Sequence, residues 1–445
     1  NYAMVLESRH RMAKPHILVL AGDDAGEVLS QAGFTIAGED HQRRQTAAIV
    51  VDTRGDSGPK AGELVRSLKA ALGPRAGLFM AWSNGEENFD VSAFDGVLDA
   101  FATPSALAAR LGSSLRIAVM ADEAKMRFRT LARFGGPTHP PVLSSTKVPR
   151  ILLFGQPDPD LLQFTTALAR FGAETVAAFT SFTAFDYLHE SEFDGVVILA
   201  RDDRATALGF CAAMRRNARM FHMPCLVLGS PDFDNPHEAI ERGATDFAIA
   251  GDNDPATADR LFNFVEEKRS RDALNLAFAA ARAPAAMEAT TGLYAPSFFL
   301  AHLESLAQRA HETDRPLSIA LARLDTEASL GVVHTRQGIE RLVSQSGAML
   351  SRLVRAEDVA ARLDQTTFAV AFPSSDDEAA QIAAERIAAV LECTAFDVQA
   401  DHTSFSNDQP IQIKLTIASA SLLPHENATG LLQRVTAQLE QGNAS

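Results

Sequence analysis

Residues 359–372, with the sequence VAARLDQTTFAVAF, decide how the C-terminal third of the chain folds. Two apolar runs, Val359–Leu363 and Phe368–Phe372, flank the polar residues Asp364–Thr367, and this pattern predicts an antiparallel hairpin. Helices packed against an antiparallel sheet would make residues 284–445 an α+β domain. The sequence predicts two further strands and three helices around the hairpin: strands Leu317–Leu324 and Ile411–Ile417, and helices Ser297–His311, Gly338–Leu353 and Asp376–Leu391.

The composition is that of a globular chain with several domains. Its 445 residues suit about three domains, and 46% hydrophobic residues suffice for ordinary cores. The net charge of −15 argues against a nucleic-acid-binding surface, which needs an excess of Lys and Arg. Three widely spaced cysteines without a CxxC pair indicate reduced thiols and neither a disulfide framework nor a zinc site. Residues 1–15 have the character of a disordered leader, and no apolar run could span a bilayer, so we expect a cytoplasmic protein.

The N-terminal part of the chain alternates short apolar runs with helical patterns. Four apolar runs between residues 16 and 98 predict buried strands, and Ala61–Leu72 and Ser105–Leu111 predict helices between and after them. This alternation is typical of a parallel sheet whose functional residues lie at the carboxyl ends of its strands. We therefore place a first unit at residues 16–136 and a proline-containing linker at 137–149.

The same alternation restarts after the linker and predicts a second unit at residues 150–283. A helix at Thr257–Arg282 leads out of this unit and ends before Pro284, because proline disfavours helix at the residue that precedes it. The two units form an internal repeat with one order of strands and helices. Three of the strands predicted in the second unit are Arg150–Gly155, Phe193–Leu199 and Pro224–Ser230.

The first unit resembles response-regulator receiver domains at the ends of its strands. Asp52 matches the aspartate that this family phosphorylates, and Ser83 matches its hydroxyl residue. Asp52 is therefore either a phosphoacceptor, with Asp23 or Asp24 restoring the metal site, or a carboxylate left over at a strand end. Three other matching positions lack the residue of the family: Ala21 and Gly22 at the acidic pair that holds Mg²⁺, and Ala100 at the lysine.

The second unit resembles a receiver domain that has lost its chemistry, and no phosphorylation is expected there. A fold without its original chemistry often serves as a surface for a second copy or for another protein. The expected fold class of the N-terminal part is therefore two flavodoxin-like receiver domains with parallel sheets. The positions of the lost chemistry are Leu199 or Ala200 at the acceptor, Ala250 at the lysine, and Gly155 and Gln156 at the acidic pair.

The C-terminal domain resembles diguanylate cyclase (GGDEF) domains at Thr291–Tyr294, Arg355–Phe372 and Ala384–Ile387. A working cyclase joins two GTP molecules with Mg²⁺ held by carboxylates, and two signature glycines let its backbone approach the nucleotide. The resemblance implies that this machinery is lost. The degenerate positions are Arg323 at a metal carboxylate, Asp364 and Gln365 at the glycines, Thr366 and Thr367 at the acidic residues, and Gly331, Val332 and Gly338 near the guanine-reading positions.

A regulatory ligand site is retained, according to the same resemblance. Product-inhibited members of the family bind a cyclic di-GMP dimer at an RxxD motif before the signature, which Arg355 and Asp358 match. Arg386 matches a second arginine that completes the site on the next helix. A guanidinium can bond guanine or phosphate through two donors, and a carboxylate can accept from guanine N–H groups. The alternative is that these are ordinary solvated charges, and RxxD also occurs at Arg269–Asp272.

The sequence therefore predicts a non-catalytic effector that binds cyclic di-GMP as a regulatory ligand, without a catalytic cofactor or metal. The receiver–receiver–GGDEF resemblance implies a pole-localised adaptor that recruits protein partners for ClpXP-type proteolysis in the cell cycle, and a homodimer formed through the receiver units. Neither DNA binding nor membrane insertion is expected. Two alternatives stay open: a residual diguanylate cyclase regulated by phosphorylation of Asp52, and a dimerising scaffold that binds no nucleotide.

Overall fold

A computed structural model gives the architecture of most of the chain. Three sheets organise it, and each sheet lies in one of the units expected from the sequence. The expected leader at residues 1–15 lies outside the described residues. Those residues are 16–20, 23–37, 46–73, 77–84, 89–99, 103–141, 147–201, 203–233, 235–325, 336–397 and 411–442.

The first unit is built on five parallel strands in the order β2-β1-β3-β4-β5. Helices α1 (Asp23–Gln31), α2 (Gly58–Leu72) and α3 (Pro104–Ala132) accompany the sheet. Residues Ala48–Val51 of the central strand are buried, as expected for an apolar strand covered on both faces. The two-residue strand β2 is too short to produce a sequence pattern and was not predicted. The strands are β1 His16–Leu20, β2 Thr35–Ile36, β3 Ala48–Asp52, β4 Leu78–Ser83 and β5 Gly96–Asp99.

The second unit repeats this topology with parallel strands in the order β10-β9-β8-β6-β7. Counted within each unit, both sheets have the order 2-1-3-4-5, which is the flavodoxin-like arrangement. The predicted parallel α/β repeat is thus confirmed, although edge strand β7 is not predicted, because four of its five residues are exposed or only partly buried. The elements are β6 Arg150–Phe154, α4 Pro159–Ala169, β7 Glu174–Ala178, α5 Ser181–Glu190, β8 Gly195–Ala200, α6 Arg204–Arg216, β9 Cys225–Gly229, α7 Pro236–Glu241, β10 Asp246–Ile249 and α8 Asp254–Ala280.

Helices α3 and α8 are much longer than the other helices of the two units and lie against each other. The helix predicted at Ser105–Leu111 ended just before Gly112, yet α3 continues through this glycine for a total of 29 residues. A glycine inside a helix costs about 1 kcal/mol relative to alanine, which packing on several sides can offset. Arg110 and Ser114 of α3 both bond Glu267 of α8, so the two helices are joined by polar contacts as well.

The third unit contains an antiparallel sheet in the order β12-β13-β11-β14, and this confirms the predicted α+β architecture. The last strand differs from the prediction of Ile411–Ile417. Ile411 pairs instead with Phe396, and the strand that pairs with β11 starts at Leu415. The elements are α9 Pro296–Thr313, β11 Leu317–Leu324, α10 Arg336–Leu353, β12 Val359–Arg362, β13 Thr367–Pro373, α11 Asp377–Glu392, β14 Leu415–Ser421 and α12 Ala428–Gly442.

The core of the third unit includes side chains from the first unit. Phe128 and Leu131, near the end of α3, are buried in one apolar cluster with Phe298 and Leu303 of α9. Within the described ranges, no helix is long and apolar enough to cross a membrane. Helix α3 therefore belongs to two units at once, and it brings the first unit next to the turn that precedes β12.

Candidate regulatory ligand site

The RxxD turn at Arg355–Asp358 connects the end of α10 to the start of β12. The backbone N–H of Arg355 donates to Asp358 Oδ2 at 2.8 Å, and the N–H of Asp358 donates to the Arg355 carbonyl at 3.2 Å. Asp358 is only 7% exposed. Its carboxylate therefore closes its own turn, which is a local use that the sequence motif did not reveal.

The environment of Asp358 makes its ionisation state sensitive to pH near neutrality. Burial, the largest effect, and the neighbouring carboxylate of Glu357 together raise the pKa of Asp358 to about 7, although Arg355 and its backbone N–H act in the opposite direction. At neutral pH the group is divided between a carboxylate, which only accepts hydrogen bonds, and a carboxylic acid, which can donate one.

Arg386 of helix α11 reaches the same end of α10. Its Nη2 donates to the carbonyl of Leu353 at 3.3 Å, two residues before Arg355. The three residues predicted for the ligand therefore lie around one helix end. The other RxxD copy is used differently, because Arg269 pairs with Asp194 and Asp272 pairs with Lys268 rather than with each other.

Two arginines of helix α3, in the first unit, donate hydrogen bonds to the RxxD turn. Arg127 donates to the carbonyls of Ala356, Glu357 and Asp358 at 3.2, 2.9 and 3.2 Å. Arg116, three helical turns earlier, donates to the Glu357 carboxylate at 2.9 Å. The main chain and one side chain of the candidate ligand turn are thus directly bonded to the first unit.

The guanidinium of Arg127 is itself fixed in a buried polar network. Glu123 Oε1 lies 2.9 Å from Arg127 Nε and 2.8 Å from His302 Nε2 of helix α9. Burial alone would raise the pKa of Glu123, but the charges of His302 and Arg127 outweigh it and lower that pKa. The Arg127 guanidinium also lies 4.5 Å from the ring centre of Phe278 in α8. Elements from all three units therefore meet at this arginine.

The hairpin that carries the cyclase signature is closed by its own side chains. Asp364 Oδ1 accepts from the backbone N–H groups of Thr366 and Thr367, both at 2.8 Å. Arg323 of β11 lies opposite, with its Nε 3.3 Å from Thr367 Oγ1. Burial raises the pKa of Asp364, but its hydrogen bonds with Thr366 and Thr367 and, to a smaller extent, the charge of Arg323 lower that pKa below its usual value. A guanidinium therefore lies beside this turn, and the carboxylate of the turn already accepts hydrogen bonds from the backbone.

One known protein family matches the third unit along its whole length. The model of the family described as "Diguanylate cyclase, GGDEF domain" matches residues 285–445. The C-terminal unit is a GGDEF domain. The RxxD turn, the hairpin between β12 and β13 and Arg386 all lie within the matched residues.

Several solved GGDEF structures are similar to this part of the chain. The GGDEF domain of FimX from Pseudomonas aeruginosa is 25% identical and covers 36% of this chain and 95% of its own, with a TM-score of 0.32. The GGDEF domain of DgcB from Caulobacter crescentus, solved in complex with c-di-GMP, is 18% identical and covers 36% and 92%, with a TM-score of 0.33. SiaD from Pseudomonas aeruginosa, in complex with its activator SiaC, is 17% identical and covers 40% and 64%, with a TM-score of 0.33. No curated protein matches the chain.

In the first unit, Asp52 lies at the end of β3 and Ser83 at the end of β4, on neighbouring strands. Asp52 forms an ion pair with Arg54, a residue to which the sequence analysis gave no role. The parts of the chain that the structure describes contain no group of three His, Cys, Asp or Glu side chains that could hold a metal ion. Five predicted positions lie outside those parts: Ala21, Gly22, Ala100, Gly331 and Val332.

Proposed function

We propose that this protein is a non-catalytic effector that binds cyclic di-GMP at the RxxD turn of its GGDEF domain and passes the signal to its first unit. The observation that carries the proposal is the contact of Arg127 and Arg116 with that turn. A ligand can shift a conformational equilibrium only if it binds two arrangements with different affinity. A turn that is bonded to another unit satisfies this condition, because reshaping the turn changes those bonds.

The chemistry of the turn suits a guanine nucleotide. Arg355 and Arg386 offer planar guanidinium groups that bond phosphate or a guanine edge with two donors and stack on a base. Asp358 offers a carboxylate for the N–H groups of guanine. Asp358 is only 7% exposed and bonds the Arg355 backbone at 2.8 Å, so we expect ligand binding to reshape the turn.

Opening the turn would change the hydrogen bonds that connect helix α3 to the turn. Arg127 donates to three consecutive carbonyls of residues 356–358, and these bonds depend on the backbone conformation of the turn. Because the guanidinium is buried beside Glu123, its lost bonds cannot be replaced freely by water. The ligand would therefore bias the position of α3, and through α3 the first unit.

The altered signature predicts that the protein does not make cyclic di-GMP. With GTP and Mg²⁺, we expect no product above background, because Arg323 brings positive charge to the metal region and Asp364 is held by its own turn. Chromatographic detection of cyclic di-GMP would test this, with an active diguanylate cyclase assayed in parallel. Sustained product formation would contradict the non-catalytic part of the proposal and favour the residual cyclase.

Ligand affinity should depend on pH through Asp358. Since its pKa is raised to about 7 and the ligand uses the carboxylate, binding should strengthen about tenfold between pH 6 and pH 8. Titration calorimetry at both pH values would measure this change. The Asp358→Asn variant is the control, and we expect its weaker binding to be nearly independent of pH over this range.

The same raised pKa fixes the sign of the effect on folding stability. Between about pH 4 and pH 7 the unfolded chain ionises this group and the folded chain does not, so the contribution of Asp358 to stability falls as pH rises. The difference between wild type and Asp358→Asn isolates this contribution from that of other carboxylates. If the difference stays constant across the window, the burial argument for Asp358 fails.

The wider role is proposed from the resemblance of the sequence to receiver–receiver–GGDEF proteins of the PopA type. In this proposal the two N-terminal units are receiver-like domains that form a dimer or a partner surface at a cell pole, and the partner is delivered to a ClpXP-type protease. A reconstituted degradation assay with and without cyclic di-GMP would test the role. Degradation that does not respond to the ligand would contradict it, even if the ligand binds.

A further inference from the structure

Arg54 ties together two carboxylates at the carboxyl end of the first sheet. Its Nε and Nη2 lie 2.9 and 2.8 Å from the two side-chain oxygens of Asp52. Its Nη1 and Nη2 lie 2.6 and 3.1 Å from the two side-chain oxygens of Asp24, in the first turn of α1. One guanidinium therefore engages every side-chain oxygen of both residues.

An arginine takes the equivalent place in the second unit. Arg201 directly follows β8, the third strand of its unit, as Arg54 follows β3 by two residues. Its Nη1 lies 3.1 Å from Asp158 Oδ2 and 2.7 Å from Asp160 Oδ2, at the start of α4. Helices α1 and α4 each follow the first strand of their unit. The two arginine–carboxylate clusters are therefore related by the internal repeat.

The magnesium ion of a receiver domain does not fit beside these arginines. Mg²⁺ demands near-octahedral oxygen ligands and usually combines carboxylates with water. The oxygens that it would need at Asp52 and Asp24 already accept hydrogen bonds from Arg54. A guanidinium remains charged at any pH at which the protein is folded, so it places a permanent positive charge where the divalent ion would enter.

The same contacts work against phosphorylation of Asp52. Transfer of a phosphoryl group needs a carboxylate oxygen that is open to attack and a cation that neutralises charge on the phosphoryl oxygens. Arg54 contacts both Asp52 oxygens, and its backbone N–H adds a third bond at 3.0 Å to Oδ1. The Asp24 carboxylate on the other side of the guanidinium would also repel an incoming phosphate.

We infer that Arg54 and Arg201 are built-in cations that replace the divalent metal of a receiver domain, and that Asp52 is held as an ion-pair partner and not used as a phosphoacceptor. Both N-terminal units then keep one pocket conformation whatever the supply of Mg²⁺ or phosphodonor. The inference is independent of cyclic di-GMP binding, because Arg54, Asp52 and Asp24 are not among the residues that contact the RxxD turn through Arg116 and Arg127.

Trp82 provides a direct test in the full-length protein. It is the only tryptophan of the chain, and it is buried. It lies on β4 directly beside Asp52, its register partner on the neighbouring strand β3. Its fluorescence should therefore report any ion that enters the Asp52 pocket. We expect wild-type emission to be unaffected by millimolar Mg²⁺, alone or with beryllium fluoride as a phosphoryl mimic.

Removal of the arginine should open the pocket. For Arg54→Ala we expect a saturable change in Trp82 emission on addition of Mg²⁺. Half of this change should be reached at a Mg²⁺ concentration at least about tenfold below the highest concentration at which wild type shows no response. Arg54→Gln, which keeps hydrogen bonding and removes the charge, should change in the same direction and covers the case in which Arg54→Ala does not fold. Arg66→Ala is the matched control, because Arg66 pairs with Asp90 on the surface of the same unit and should leave the wild-type response unchanged.

Two results would overturn the inference. One is a saturable Mg²⁺ response of Trp82, or incorporation of phosphate from acetyl phosphate, in the wild-type protein. The other is the absence of any Mg²⁺ response in both folded Arg54 variants, which would mean that the arginine is not what keeps the ion out. Magnesium calorimetry of Arg201→Ala against wild type applies the same comparison to the second unit, where heat of binding is expected only in the variant.

Discussion

Arg355→Ala is expected to weaken cyclic di-GMP binding by at least about 100-fold, because it removes up to two charge-assisted hydrogen bonds worth about 1.5–3 kcal/mol each. Truncation also removes the planar group that would stack on a guanine base. The backbone N–H of residue 355 remains, so the turn closed by Asp358 should persist and the variant should fold. Titration calorimetry of wild type and variant would measure the loss.

Arg352→Ala is the matched control for this experiment. Arg352 is an exposed arginine in the last turn of α10, three residues before Arg355, and should bind the ligand within about threefold of wild type. Equal affinities for Arg355→Ala and wild type would exclude the RxxD turn as the ligand site. Absence of binding by wild type itself would leave the nucleotide-independent scaffold as the better description.

Arg127→Ala is expected to destabilise the protein by about 3–5 kcal/mol, the usual cost of removing one partner from a buried ion pair. The substitution leaves Glu123 with its hydrogen bond to His302 and leaves three carbonyls of the RxxD turn without their donor. In calorimetry we expect the midpoint of the GGDEF-domain transition to fall by roughly 6–20 °C. Hydrogen exchange at residues 355–358 should rise as well.

Two further variants distinguish the loss of stability caused by breaking the buried network from the loss caused by removing any arginine. Arg129→Ala, two residues away on the exposed face of α3, should change stability by less than about 0.5 kcal/mol. Glu123→Leu combined with Arg127→Met should be less destabilising than Arg127→Ala, because it leaves no unpaired buried charge. If Arg127→Ala and Arg129→Ala melt at the same temperature, the network does not contribute to stability as described.

The parts of the fold that can be predicted from the sequence are those that local patterns of apolar and polar residues determine. Apolar runs predict the strands of both parallel sheets except the edge strands β2 and β7, and the apolar runs on either side of Asp364–Thr367 predict the β12–β13 hairpin. Helix α3 was underestimated because Gly112 suggested an end, and the packing that carries the helix onward comes from residues of α8 and α9, far along the chain. Local propensity yields to tertiary packing at such points.

The residues of the candidate sites also differ in whether a local sequence pattern reveals them. Arg355, Asp358 and Arg386 were predicted because they belong to a motif, whereas Arg127 bonds carbonyls that lie 229 to 231 residues further on and has no local signature. Arg54 is an intermediate case. A cation two residues after a strand-end carboxylate is visible in the sequence, and only the position of Asp24 shows what it does.

The shared core at the end of α3 bears on how this GGDEF domain can be inherited or transplanted. Phe128 and Leu131 fill the interior of a domain whose family match begins more than 150 residues later. A gene fusion or an expression fragment cut at that boundary would leave an open cavity beside Phe298. Recombination that keeps the domain functional must carry this segment of the first unit with it, so helix and domain are expected to evolve as one module.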